Sequence, residues 1–283
     1  MQAPGQRVSS GNASNQARGQ APDNHDRRKV RLADQLAASL GLDGSGRLLD
    51  IGCGPGSLTL LLAPLFAEAI GIDADADMIA EAAEQAARAG IRNVSWRHLR
   101  AEELPSDLPP PTVITFAQSF HWMDRPQVAA TARRMLVTGG ALVHVHATTH
   151  QGVATDEHLL HPQPPRAVIT TLIQQYLGTP RRAGQHVLPR GTKQGEDAVY
   201  RAAGFHRAAG FRGPQRIEVP GRTVQRTAQE IRASVYSLSS SAPHLFGARL
   251  NDFDDQLRSL LVTTAPDGLF SERLREITIE IWR

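Results

Sequence analysis

The 283-residue sequence predicts an α/β fold, a parallel sheet with helices packed on both faces. Three observations predict it. Short apolar runs alternate with helix-period segments from Arg47 to Thr149. The first of these runs ends in a cluster of glycines. The chain closes on "REITIEIWR", an alternating, β-rich segment.

Each element has its own signal. "KVRLADQLAASL" (29–40) carries apolar residues at helical spacing and is followed by Gly41 and Gly44. "RLLDI" is short, apolar and stopped by glycine, which reads as a buried strand. "SLTLLLAPLFA" reads as a helix starting at Ser57, and "AIGID" as the second strand. "ADADMIAEAAEQAARAG" is a strong helix, with Asp75 or Asp77 to cap its start and Gly90 to end it. "VSWRHL" and "PTVITFAQ" are strands three and four. The helix "RPQVAATARRML", a "TGG" turn and the fifth strand "ALVHVHATT" follow.

Past residue 150 the rhythm breaks. "HPQPP" is a stiff loop, "RAVITTLIQQYLG" a helix, "PRRAGQHVLPRGTKQG" a long polar loop and "EDAVYRAAGF" a helix. "GPQRIEVPGRTV" returns as a strand. Residues 227–275 read as two or three helices joined by loops, a cap inserted before the final strand. The first 27 residues, rich in Gly, Ser, Asn, Gln and Pro, read as a disordered tail with no apolar run for a signal peptide or anchor. No stretch is long and apolar enough to span a bilayer.

Composition narrows the function classes. The net charge is +3, but the 31 basic residues include only two lysines, Lys29 and Lys193. The arginines are scattered rather than striped, and no aromatic residues interleave with them. This argues against nucleic acid as partner and fits GC-rich bacterial coding. The one cysteine, Cys53, excludes an internal disulfide framework, suits a reducing cytosol and sits where a glycine loop needs a small residue. Six of the eleven histidines fall between 121 and 161, with His144 and His146 on one face of the fifth strand. No acidic partner stands at metal-site spacing, so no metal is expected.

The glycine loop carries the chemistry. In "LLDIGCGPGSLT" the glycines Gly52, Gly54 and Gly56 alternate, and Asp50 precedes them. A bare loop between a strand and a helix lets a ligand approach backbone, but several ligand classes use one. The spacing is G-x-G-x-G rather than the dinucleotide G-x-G-x-x-G, and no Gly-Lys-Ser/Thr follows. Asp50 would repel a pyrophosphate and suits a cationic amine. Asp73 ends the second strand 21 residues after Gly52, where an acid accepts hydrogen bonds from ribose hydroxyls. A ligand with a ribose, an amine and no phosphate fits all three features, and S-adenosylmethionine is such a ligand.

"LLDIGCGPGSLT", "GIDADADMI", "RAEELP" and "FAQSFHWMD", in that order, resemble the class I S-adenosylmethionine-dependent methyltransferases. They look most like the small-molecule subgroup of trans-aconitate and ubiquinone/menaquinone-type enzymes. The resemblance covers roughly residues 30–150. It implies a Rossmann-like seven-stranded sheet, mostly parallel with an antiparallel last strand, plus a helical cap. The divisions would be a core over 28–150, loops, helices and the sixth strand over 151–226, the cap over 227–274, and the last strand over 275–283.

The resemblance also implies roles. Asp50 would orient the methionine amine, directly or through water. Gly52, Cys53 and Gly54 would line the methionine and ribose, and Asp73 would hold the ribose hydroxyls. Ala74 and Met78 would flank the adenine, with Ala101 and Glu102 at its edge. Ala117 and Gln118 would lie beside the sulfonium. His121, just past strand four, is the candidate base if the acceptor must lose a proton. Trp122, His146, His150, Tyr236 and His244 are candidates to line the acceptor pocket. The acceptor expected is a small molecule such as an amino sugar, a phenolic polyketide or a small acid. Two rivals remain on the same fold: an RNA or protein methyltransferase, and a non-catalytic relative that binds the donor.

Overall fold

The computed structural model describes residues 24–146, 151–153, 155, 158–178, 182–183, 186–187, 203–238 and 240–283, with side chains from Leu32 onward. Helix α1 (Asn24–Leu40) begins five residues earlier than its apolar spacing indicates. It is followed by β1 (Arg47–Ile51), α2 (Ser57–Leu62), β2 (Glu68–Asp73), α3 (Ala76–Ala89) and β3 (Val94–His98). Then come β4 (Val113–Ala117), α4 (Arg125–Met135) and β5 (Ala141–His146). The helix expected over 57–67 stops at Leu62 and continues as a single tight turn, Ala63–Leu65, where Pro64 denies the backbone a donor. Asp75 caps α3 by accepting the Asp77 N–H at 2.9 Å, and Gly90 ends it in the left-handed region.

The second half holds α5 (Arg166–Leu177), two short paired strands β6 (Arg182–Ala183) and β7 (His186–Val187), and a helical stretch α6 over residues 203–208. β8 (Gln215–Val219), β9 (Arg222–Thr227), α7 (Ala228–Tyr236), α8 (Leu250–Thr264), β10 (Leu269–Leu274) and β11 (Ile277–Trp282) complete it. The main sheet has seven strands in the order β3-β2-β1-β4-β5-β11-β8. β1 to β5 pair in parallel, and β11 runs antiparallel to both β5 and β8. This is the Rossmann-like sheet with an antiparallel last strand. The strand order reverses at β1, so the crevice for a ligand opens at the carboxyl ends of β1 and β4.

Two expectations are corrected. "GPQRIEVPGRTV" is two strands, not one: Pro220 and Gly221 break it, β8 joins the main sheet, and β9 leaves it. Gly221 permits this because a Cβ there would run into the Leu274 carbonyl. The partner of β9 is β10, "LFSERL", within the stretch expected to be helices and loops. Its charged residues mask its strand character, because Glu272 is buried in an ion network rather than solvated. Arg166 grips Glu272 through two hydrogen bonds of 2.9 and 3.0 Å, and Arg226 lies 3.1 Å from it.

The cap has its own core. Phe246, Phe253, Leu257, Leu261 and Phe270 pack with Ile169 and Leu172 of α5 and Ile231 and Val235 of α7. The expected long polar loop over 180–195 includes the β6–β7 pair, and most of "EDAVYRAAGF" lies outside the described residues. No helix among the described residues is long and apolar enough to cross a membrane.

Candidate active site

The glycine loop is shaped by backbone. Gly52, Gly54 and Gly56 all have positive φ, at 69°, 54° and 79°. The N–H groups of Gly52 and Cys53 both donate to the Ile72 carbonyl, which ties the loop to the end of β2. Two of the glycines are also packed against: a Cβ at Gly52 would lie 2.5 Å from the Ser119 Cβ, and one at Gly56 would strike the Trp96 ring at 2.6 Å. A Cβ at Gly54 would meet nothing within 4 Å. The loop therefore leaves a bare, open backbone surface at Gly54, the cradle a ligand needs.

Asp73 closes that cradle. Its Oδ2 accepts the Gly54 N–H at 2.8 Å and its Oδ1 the Asp75 N–H at 2.9 Å. Burial raises its carboxyl above the usual range, and the two N–H bonds oppose that rise. Two hydrogen bonds leave acceptor capacity on the carboxylate for hydroxyl donors. Next to it, the Ala74 carbonyl lies 3.1 Å from His98 Nε2. Met78 is buried on the inner side of α3, with Ala82 and Ala86.

Asp50 lies beneath the loop with no exposed surface. Thr59 and Thr115 donate their hydroxyls to its two oxygens at 2.6 and 2.7 Å. Burial pushes its carboxyl up to about 6, against those two hydrogen bonds. It braces the loop floor between β1, α2 and β4. Cys53 is buried and burial drives its thiol far from thiolate, in keeping with packing.

At the end of β4, Gln118 is a non-glycine residue at φ 56°. Such outliers concentrate at functional sites. The chain turns sharply here, so that Ser119 donates its hydroxyl to the Ile51 carbonyl at 2.6 Å and closes the β1–β4 crevice. A tight turn, Phe120–Trp122, follows, and the His121 and Trp122 rings lie 4.5 Å apart. Glu102, expected at the adenine edge, accepts the Asp124 N–H at 2.9 Å and so ties the Ala101–Glu103 turn to the start of α4. Ala101 is buried beside it.

The histidines of β5 divide. His144 is buried, with its Nε2 2.6 Å from His206 Nε2. Burial holds both imidazoles well below the usual histidine range, His206 to about 4. His146, two residues on, is 28% exposed at the ligand end, and its Nε2 lies 3.5 Å from Glu280 Oε2. His150 lies outside the described residues. In the cap, His244 reaches the core, 3.3 Å from Asp77 in the first turn of α3. Tyr236 does not: it packs on Phe246 and Phe253 and donates its hydroxyl to Asp254 at 2.9 Å.

The structure thus gathers Asp50, Gly52, Cys53, Gly54, Asp73 and Ala74 at one crevice, places Ala117, Gln118 and His121 on its β4 side, and adds Ser119, Trp96, Thr59 and Thr115. The two threonines and Trp96 had no local signal, because each meets the loop through sheet pairing or helix packing. Among the described residues, no group of three or more His, Cys, Asp or Glu side chains is arranged to hold a metal ion.

Residues 48–140 match the family described as "Methyltransferase domain". This segment is thus similar to a methyltransferase domain. Three curated relatives match parts of the chain. An uncharacterized methyltransferase, YcgJ of Bacillus subtilis, is 30% identical over 116 residues, 41% of this chain and 46% of that protein. A ubiquinone biosynthesis O-methyltransferase of Methylococcus capsulatus is 34% identical over 98 residues, 34% of this chain and 41% of the relative. A trans-aconitate 2-methyltransferase of Rhodopseudomonas palustris is 32% identical over 120 residues, 40% and 43% of the two chains. In each case the match spans less than half of the relative's length.

Proposed function

We propose that the protein transfers a methyl group from S-adenosylmethionine to a small molecule. The observation that carries this reading is the pairing of Asp73 with the open backbone at Gly54. A carboxylate at the end of β2 beside a bare loop accepts hydrogen bonds from ribose hydroxyls. Asp73 would hold the ribose, Gly52 to Gly54 would line the methionine side, and Ala74 and Met78 would border the adenine. When bound, the donor supplies a methyl carbon already activated by a sulfonium. What the chain's own residues add is alignment and exclusion of water. The strained turn at Gln118 fixes the wall of the crevice on the β4 side, and His121 and Trp122 extend it. The cap reaches the core at His244 and Asp77, which favours an enclosed, small acceptor over a polymer. The ubiquinone and trans-aconitate enzymes among the relatives also have small acceptors in their names. The lone buried cysteine suits a reducing cytosol.

The test is calorimetry with S-adenosylmethionine, followed by transfer of labelled methyl to a panel of amino sugars, phenolic polyketides, small organic acids and bulk tRNA. Binding together with label in one small-molecule class supports the reading. Label in tRNA alone would move the acceptor to RNA. Binding with no label in any class would leave a donor-binding relative.

A further inference from the structure

The carboxyl end of β5 carries a histidine with a buried carboxylate behind it. Glu280 on β11 is 2% exposed, yet it contacts two cationic or ionisable partners: His146 Nε2 at 3.5 Å and Arg216 Nε at 2.9 Å. The sheet arranges this directly. Thr278 pairs with His146 and Glu280 with His144 across β11 and β5, and Arg216 pairs with Glu280 across β8 and β11. Paired residues share a face, so His146, Glu280 and Arg216 lie in a diagonal row. On β4, Ala117 pairs with Val145, so Gln118 and His146 leave neighbouring strands side by side at the ligand end.

Resting on the methyl-transfer reading above, we propose that His146 is the general base of the reaction, oriented by Glu280, with Nδ1 as the atom that takes the proton. Glu280 Oε2 lies 3.5 Å from Nε2, and a hydrogen bond between them would set the Nε2–H tautomer and leave the Nδ1 lone pair to act. Burial works against charge on Glu280, but His146 and Arg216 outweigh it and hold its carboxyl below the ordinary glutamate range. A 3.5 Å contact is typical of such pairs before substrate tightens them. In the step itself, the acceptor's X–H bond breaks and its proton goes to Nδ1. The new X–CH3 bond forms as the C–S bond breaks, and that bond's electron pair returns to sulfur, which becomes a neutral thioether. The histidine then releases the proton to solvent.

His144 cannot share this role, because its Nε2 is engaged with His206 in the interior. The His144 ring stacks on that of His146, with centroids 5.8 Å apart.

The experiment uses the full chain and the variants His146→Gln, His146→Ala and Glu280→Gln. One readout needs no donor: the imidazole nitrogen NMR signals of His146. The expected result is an Nε2–H tautomer in the wild type and a mixture of the two tautomers in Glu280→Gln, whose amide can donate as well as accept. The second readout is turnover on the labelled acceptor. His146→Gln and His146→Ala lose about 10²–10⁴ in kcat with donor affinity unchanged. Glu280→Gln loses less, and the loss falls on kcat rather than on the acceptor KM. A wild-type Nδ1–H tautomer, or full kcat in His146→Gln while donor binding persists, overturns the assignment. Absence of donor binding in the wild type would instead overturn the methyl-transfer reading on which it rests.

Discussion

The glycine-loop crevice and the cap are built by opposite means. In the crevice, backbone does most of the work: positive-φ glycines, two N–H groups on the Ile72 carbonyl, and N–H bonds to Asp73. In the cap, side chains distant in sequence hold the parts together. Arg166 of α5 reaches Glu272 of β10 and Ser234 of α7, and Arg226 of β9 lies on the same carboxylate. The difference teaches where each region is vulnerable. A local conformational change breaks the crevice, whereas loss of one charged partner breaks the cap.

The largest effect should come from the cap. Glu272→Ala removes the carboxylate shared by Arg166 and the buried Arg226 and is expected to cost about 3–5 kcal/mol. All three tryptophans, Trp96, Trp122 and Trp282, lie outside the cap, while Tyr176 and Tyr236 lie within it. Denaturation followed by tyrosine circular dichroism should therefore shift more than denaturation followed by tryptophan fluorescence. Coincident shifts would make cap and core one cooperative unit and break the distinction.

Next is Gly52→Ala. Its Cβ collides with Ser119 and its φ is unfavourable, so a loss of about 2–3 kcal/mol, together with weakened donor binding, is expected. Gly54→Ala meets open space and should cost only about 1–2 kcal/mol, from its left-handed backbone alone, yet still weaken the donor. If Gly54→Ala left donor affinity intact by calorimetry, the cradle would lie elsewhere. Asp73→Ala is expected to abolish most donor affinity while the thermal midpoint moves little, since its partners Gly54 N–H and Asp75 N–H can turn to water. Unchanged affinity would remove Asp73 from the ribose role.

The smallest expected effect is a pH dependence confined to the core. The imidazoles of His144 and His206 have folded pKa values below their unfolded value of 6.5, so the unfolded chain binds more protons. Their contribution is complete above pH 6.5 and is lost as pH falls towards 4. Asp50 has the opposite sign: with a folded value of about 6 against 3.8, it gains stability over nearly the same window as pH falls. The wild type should thus show a shallow profile. His206→Gln should become relatively more stable at pH 4.5 than at pH 7, and Asp50→Asn relatively less. Parallel profiles in urea titrations for all three proteins would show that folding shifts the pKa of neither group.

The sequence by itself determined the parallel core and the glycine-loop crevice. Strand and helix periods, capping Asp75, Gly90 and the Asp50–glycine–Asp73 spacing are local signals, and local geometry follows from them. The tertiary structure alone decided what depends on pairing across the sheet or on burying charge. β10 hid behind Ser271, Glu272 and Arg273, because a sequence cannot show that a glutamate is neutralised by arginines 106 and 46 residues away. Tyr236, read as an acceptor contact, is committed to Asp254 by helix packing within the cap. Glu280 behind His146, and His206 against His144, come from strands and a helix more than 60 residues distant, and only antiparallel register and close packing bring them together.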